Sequence, residues 1–93
     1  MKSKITQEKL EKYFKITREA FEKAKAASSE KQKEKQEILE MVENYISDAE
    51  HFKEKGDIVN AFAALAYAHG WLDAGAKLKI YDVKDSRLFA GVD

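Results

Sequence analysis

Residues 57–81 decide the fold, and they read DIVNAFAALAYAHGWLDAGAKLKIY. Plotted as a helix, the apolar side chains from Ile58 to Tyr81 occupy one continuous arc of roughly 220°. An ordinary surface helix needs an apolar stripe only a little wider than about 100°. The sequence therefore predicts a central helix that is covered on two sides and around which the rest of the chain is organised.

Glycines mark both the start and the interior of this central helix. Gly56 is suited to end a preceding helix, and Asp57 is suited to cap the next one through its carboxylate. Gly70 and Gly75 lie inside the helix, where each costs about 1 kcal/mol relative to alanine. Their presence predicts a packing or binding role, of which close helix crossing is the simplest.

Two further helices precede the central one. Apolar residues recur at spacings of three and four over residues 7–27 and again from Ile38 to Phe52. Ser29 and Gln32 match a capping box at the start of the second helix. Residues 30–37 have no apolar side chain, so we expect the first turns of that helix to project beyond the core or to be loosely ordered.

These patterns predict an all-α fold with one domain. Short connections make neighbouring helices antiparallel, which gives an up-down-up three-helix bundle with helices at about 7–27, 30–55 and 57–81. A short C-terminal tail covers residues 82–93. Its apolar residues Leu88, Phe89 and Val92 are expected to fold back on the bundle, leaving the tail partly ordered.

Composition narrows the class of protein. The chain has 93 residues, no Pro and only four Gly, and its many Lys and Glu are typical of long helices. It has no Cys, which excludes disulfides, thiol nucleophiles and Cys-ligated zinc. No stretch resembles a signal peptide or reaches the roughly 18 apolar residues that span a bilayer. We expect a soluble, cytoplasmic protein with no membrane partner.

Two pairs of His and Asp residues have the spacing of candidate sites. Asp48 and His51 are spaced to share a metal, but a di-metal bundle requires two such pairs and further Glu. His69 and Asp73 could form an acid-oriented imidazole, yet no Ser, Cys or second carboxylate completes a catalytic set. The sequence therefore predicts a protein that is not an enzyme, with no catalytic residue, metal site or cofactor.

The uneven distribution of charge suggests an alternative function. Residues 1–35 carry 11 basic and 6 acidic side chains, whereas residues 36–73 carry 2 basic and 8 acidic ones. RNA could bind the basic first helix through phosphate contacts. Interleaved Glu residues favour a simpler interpretation, in which this helix faces the acidic second helix. The basic candidates for RNA contact are Lys4, Lys9, Lys12, Lys15, Arg18, Lys23 and Lys25.

The surplus width of the apolar arc supports the leading hypothesis. Tyr67 and Trp71 are of the residue types that anchor protein interfaces when they are exposed. We therefore predict a non-catalytic protein–protein interaction or oligomerisation module, which presents either the Tyr67/Trp71 side or the small-residue side of the third helix. Its partner is another protein or a second copy in a homodimer. The candidate surface comprises Tyr67, Gly70, Trp71, Asp73 and Ala74.

A family resemblance lies in the same stretch. The residues that carry it are Gly56-Asp57, Ala61-Phe62, Leu65, Tyr67-Ala68, Gly70-Trp71-Leu72-Asp73-Ala74-Gly75 and Leu78. Together they resemble the signature of an archaeal family catalogued as domain of unknown function 357. The resemblance implies a small helical bundle from an archaeal cytoplasm and supplies no reaction, ligand or partner. The family pattern implies a small residue at position 79, and Lys79 departs from it.

Overall fold

The computed structural model describes residues 5–92 and contains three helices. They are α1 (Gln7–Ala26), α2 (Gln32–Glu54) and α3 (Ile58–Lys77). The predicted all-α three-helix bundle is confirmed. Lys4, a candidate for RNA contact, and Asp93, the last residue of the predicted tail, lie outside the described range.

Helix α3 is the element on which the other two pack. The contact between α2 and α3 is the largest between helices, that between α1 and α3 is smaller, and α1 and α2 barely touch. This confirms that α3 is covered on two sides. The largest fully buried side chains come from all three helices and the tail: Leu10, Phe14, Thr17, Val42, Leu65, Leu72, Leu88 and Phe89.

The predicted cap of α3 is confirmed. The carboxylate of Asp57 accepts a hydrogen bond from the backbone N–H of Asn60 at 3.1 Å, which satisfies a free amide of the first turn. Gly56 before it adopts a φ of 78°, a left-handed conformation that glycine takes without a Cβ penalty. The connection between α2 and α3 is therefore short and fixed by local chemistry.

The predicted start of α2 is wrong. Ser29 does not cap the helix: its hydroxyl accepts from the Lys31 backbone N–H at 2.9 Å and donates to the carbonyl of Ile80. The side-chain amide of Gln32 donates to the Ser29 carbonyl at 2.8 Å, whereas a capping box would have it accept from the Ser29 backbone N–H. The reason is the contact with Ile80, three residues beyond the end of α3, which draws Ser29 out of the capping geometry and moves the first helical residue to Gln32.

The first turn of α2 lies outside the apolar core, which is one of the two expected alternatives, since residues 32–34 are exposed; a lysine in the next turn holds it in place. Lys35 is buried, and its ammonium donates to the carbonyl oxygens of Lys25 at 2.9 Å and Ala27 at 2.6 Å. These carbonyls belong to the end of α1, where helix oxygens have no partner within the helix. A lysine thus caps α1 from the neighbouring helix, and this replaces the missing apolar contacts.

The third helix ends earlier than predicted, at Lys77. The backbone reverses at Lys79, whose φ of 59° is left-handed, and the N–H of Ile80 bonds to the carbonyl of Gly75 at 2.8 Å. The aromatic ring of Tyr81 then folds back onto the helix that it was predicted to extend. Its hydroxyl donates to the carbonyl of Leu72 at 2.6 Å.

The tail packs on the bundle, as the apolar residues at its end predicted. Leu88 and Phe89 are buried in the main core, and the backbone N–H of Asp82 bonds to the carbonyl of Ser28 at 3.0 Å. Arg87 donates to Glu19 on α1 at 2.8 Å. That hydrogen bond, with the guanidinium charge, lowers the pKa of the Glu19 carboxyl.

None of the helices found between residues 5 and 92 is both long and apolar enough to cross a membrane.

Candidate interaction surface on the third helix

The outward side of α3 is apolar over about five turns. Its large exposed side chains are Val59, Tyr67 and Trp71, followed by Leu78 just beyond the helix, with exposed fractions of 67%, 63%, 40% and 67%. Small residues fill the positions between them. We call this surface the α3 face, and its exposed residues are Val59, Asn60, Ala63, Ala66, Tyr67, Gly70, Trp71, Ala74, Lys77 and Leu78.

A shallow groove of about 560 Å³ runs along the α3 face. Its lining joins the aromatic side and the small-residue side, which the sequence offered as alternatives. Gly70 lies in the groove, and a Cβ atom placed there would have no neighbour within 4 Å. The groove is lined by Ala63, Ala66, Tyr67, Gly70, Trp71 and Ala74. Gly70 therefore leaves open space where close packing inside the chain was expected.

The apolar surface continues onto α2. The ring of Tyr45 stacks on that of Tyr67 with 5.4 Å between centroids and 16° between planes. Met41, one turn before Tyr45 on α2, is 39% exposed. Because α2 and α3 are antiparallel, Met41 lies near the level of Trp71. Sequence reasoning missed this extension, since Met41 belonged to the predicted core face of α2.

Asp73 lies apart from the other four residues of the candidate surface. Its carboxylate accepts a hydrogen bond from the backbone N–H of Ala90 at 3.0 Å, so it holds the tail. Tyr67, Gly70, Trp71 and Ala74 are brought together in the groove. The sequence grouped Asp73 with the candidate surface, whereas the structure turns its side chain towards the tail.

His69 joins three parts of the chain. Its Nε2 lies 2.7 Å from the carbonyl oxygen of Leu88 in the tail, which can only accept, so Nε2 donates. In the neutral ring, Nδ1 then accepts from the hydroxyl of Thr17 on α1 at 3.0 Å. The carboxylate of Asp73 is 3.8 Å from Nε2, beyond hydrogen-bonding distance. Both ring nitrogens are therefore used in structural bonds.

Gly75 has a packing role that differs from helix crossing. A Cβ atom at this position would lie 2.5 Å from the hydroxyl oxygen of Tyr81. The missing side chain therefore gives Tyr81 room to fold back over α3. Burial, followed by the nearby charge of Asp73, raises the pKa of the Tyr81 phenol well above its ordinary value.

Three basic residues of α1 lie close to a carboxylate, and three other lysines form a second group. Arg18 pairs with Glu50 of α2, Lys23 lies 3.9 Å from Asp85, and Lys25 lies 3.8 Å from Glu22. The lysines of the second group are exposed: Lys9, Lys12 and Lys15. Of the three that lie close to a carboxylate, Arg18 alone pairs with α2, and Glu11 of α1 pairs with Lys53 of α2 in the opposite sense, so the ion pairs between the two helices do not favour the simpler interpretation of the charge pattern.

A polar depression of about 630 Å³ lies where the connection between α1 and α2, the end of α3 and the tail meet. Its lysines are Lys31, Lys77, Lys79 and Lys84, and it also contains Glu30 and Asp82. The sequence gave no signal for it, because its residues are distant in the chain. In the part of the chain that the structure describes, no three His, Asp or Glu side chains cluster as metal ligands.

Comparison with known proteins gave one match. The model of a family described as "Protein of unknown function (DUF357)" matches residues 12–81, which include most of α1, all of α2 and α3, and Tyr81. No curated protein and no solved structure matches the chain.

Proposed function

We propose that this chain, which belongs to the DUF357 family, is a non-catalytic protein–protein interaction module whose α3 face binds an apolar helical surface. The observation that carries the proposal is the exposure of Tyr67 and Trp71 on a surface where Lys77 is the one charged side chain. Exposed apolar patches of this kind mark binding sites in soluble proteins.

Covering the two aromatic rings would supply part of the free energy that binding requires. Tyr and Trp each bury on the order of 150–250 Å², and the exposed fractions leave roughly half of that area to be covered. At about 25 cal/mol per Å², covering both rings contributes on the order of 5 kcal/mol before the cost of association. Val59 and Leu78 lie at the two ends of the same surface and add to this gain.

The surroundings of His69 support a non-catalytic role. A general base needs a ring nitrogen directed at a substrate proton. Here one nitrogen bonds to Thr17 and the other to the Leu88 carbonyl. The histidine with the strongest sequence case for chemistry is thus engaged in holding the tail.

A glutamate placed in the groove provides the test. Gly70→Glu introduces a charge at a position that has no neighbour within 4 Å and replaces a poor helix former, so the fold is expected to persist. Ser47→Glu is the matched control, because Ser47 is exposed on α2 and lies about 200° around that helix from Tyr45. Circular dichroism checks that both variants are folded.

The assay compares proteins captured from native extract by the tagged wild type and the two variants, with and without nuclease. The proposal predicts a partner that survives nuclease, is retained by Ser47→Glu and is lost with Gly70→Glu. A partner bound equally by all three forms would contradict the proposed surface. Loss of every partner on nuclease treatment would favour RNA binding through α1 instead.

A further inference from the structure

We propose that a second copy of this chain covers the α3 face, with the two α3 helices antiparallel about a twofold axis that passes between Ala68 and His69. This inference rests on the proposed function and names its partner. The evidence is the order of large and small residues along the face, its charge and its area.

The order of residues fits an antiparallel pair. About the point between Ala68 and His69, every exposed position of the α3 face lies at the level of another exposed position of the second copy. Tyr67 lies opposite Gly70, and Trp71 lies opposite Ala66. Such spacing is common to apolar helix stripes, but the matching of each aromatic ring with a small residue at the centre is specific to this sequence; at the two ends, Val59 lies opposite Leu78. Gly70 offers the space that Tyr67 of the second copy requires.

A parallel pair would lack this match. Each residue would then face its own copy, so that Trp71 would oppose Trp71 and Gly70 would oppose Gly70. Interfaces with twofold symmetry pack best when a projecting residue meets a recess on the other copy. The antiparallel arrangement is therefore the one that fills the groove.

Charge is also compatible with a second copy. The one charged residue of the α3 face, Lys77, lies opposite Asn60 in the antiparallel register. The two Lys77 residues are then about 25 Å apart along the helices. That distance exceeds the Debye length of about 8 Å at physiological ionic strength, so their repulsion is screened. In a parallel pair the two lysines would meet directly.

The area of the face suits a reversible dimer. From their exposed fractions, and on the scale of 150–250 Å² for an aromatic side chain, the four large residues of the face offer roughly 400 Å² per copy. Two copies would bury about 800 Å² through these side chains, which is below the roughly 1,200 Å² at which stable interfaces begin and in the range of weak, transient contacts. We therefore expect a dimer that dissociates on dilution, with a dissociation constant in roughly the micromolar range.

Sedimentation equilibrium of the full chain tests the dimer. The wild type and Ser47→Glu are expected to approach twice the chain mass of 10.6 kDa as concentration rises, whereas Gly70→Glu stays at the chain mass. A wild type that remains monomeric up to millimolar concentration overturns the inference. The proposed function would still stand if the wild type captured a different protein that Gly70→Glu did not capture. Failure of the dimer and failure of the proposed function are therefore distinguishable.

Cysteine cross-linking tests the register, since the chain has no native Cys. Ala63 and Ala74 lie opposite each other in the proposed dimer, whereas Ala63 and its own copy are about 16 Å apart along the helices. A disulfide requires Cα atoms within roughly 7 Å. Differently tagged Ala63→Cys and Ala74→Cys chains are oxidised separately and as a mixture.

The antiparallel register predicts cross-linking in the mixture between one variant and the other, with little in either variant alone. Cross-links within each variant would overturn the antiparallel arrangement. A dimer in sedimentation that persists in Gly70→Glu and gives no cross-link between the two variants would place the interface elsewhere on the molecule.

Discussion

Replacing His69 with alanine removes the side chain that joins α1, α3 and the tail. The change deletes hydrogen bonds of 3.0 Å to Thr17 and 2.7 Å to the Leu88 carbonyl. Each is worth about 1 kcal/mol net, and leaving a buried partner unsatisfied costs about 1–3 kcal/mol more. Thr17 is fully buried, although its hydroxyl can bond back to the preceding helical turn, which reduces that cost. We expect a loss of about 3 kcal/mol in the free energy of unfolding.

A loss of this size lowers the melting temperature by about 12–24 °C in a domain of this length. Urea and thermal unfolding followed by circular dichroism measure it, and hydrogen exchange should show faster exchange at Leu88 and Phe89. His51→Ala is the matched control, because His51 is the other histidine and is exposed on α2. Its effect should stay within about 0.5 kcal/mol. Equal stability of the two variants would refute the assigned role of His69.

Four further substitutions and one pH series test the packing. Gly75→Ala should destabilise the fold by about 2 kcal/mol in thermal unfolding, because its Cβ would meet Tyr81 at 2.5 Å. Gly70→Ala should stabilise the fold by about 1 kcal/mol, because its Cβ would enter open space. A gain in stability from both substitutions would contradict the packing at Gly75. Lys35→Met should cost about 2 kcal/mol and speed hydrogen exchange at the end of α1, and unchanged exchange there would contradict the cap. Lys79→Gly should stabilise by about 1 kcal/mol, because φ is 59° there, and no gain in urea unfolding would argue against that conformation. The raised pKa of Tyr81 means that the folded state retains a proton which the unfolded chain releases above about pH 10. The contribution of Tyr81 to the free energy of unfolding should therefore be fully present below that pH and fall above it, so that the stability of Tyr81→Phe falls less steeply. Equal slopes for the two proteins would contradict this.

The three helices and the central position of α3 could be predicted from the sequence because both follow from local periodicity. The cap at Asp57 also depends on neighbours in the chain. By contrast, the start of α2 is set by a distant residue, because Ser29 is drawn away by Ile80. The end of α3 depends on the left-handed turn at Lys79, which lets Tyr81 pack back over Gly75, and apolar periodicity does not record such a turn.

The candidate surface could be predicted only in part. An apolar arc of excess width indicates that α3 has more apolar surface than one neighbour covers, but it does not show which sector stays exposed. The tail decides this, because it occupies the side of α3 that carries His69 and Asp73. Tyr67 and Trp71 are left exposed on the other side. The role of Lys35 was missed because a charged residue gives no signal in an apolar pattern.

Trp71 offers the most direct measurement of the central claim, that the α3 face is covered by a protein partner. It is the single Trp of the chain and lies in the groove, so its fluorescence reports on that surface alone. With a second copy as the partner, raising the protein concentration should shift its emission to shorter wavelength and reduce quenching by acrylamide, in the wild type and Ser47→Glu but not in Gly70→Glu. Emission and quenching that stay unchanged with concentration, and also after addition of any captured partner, would contradict the claim.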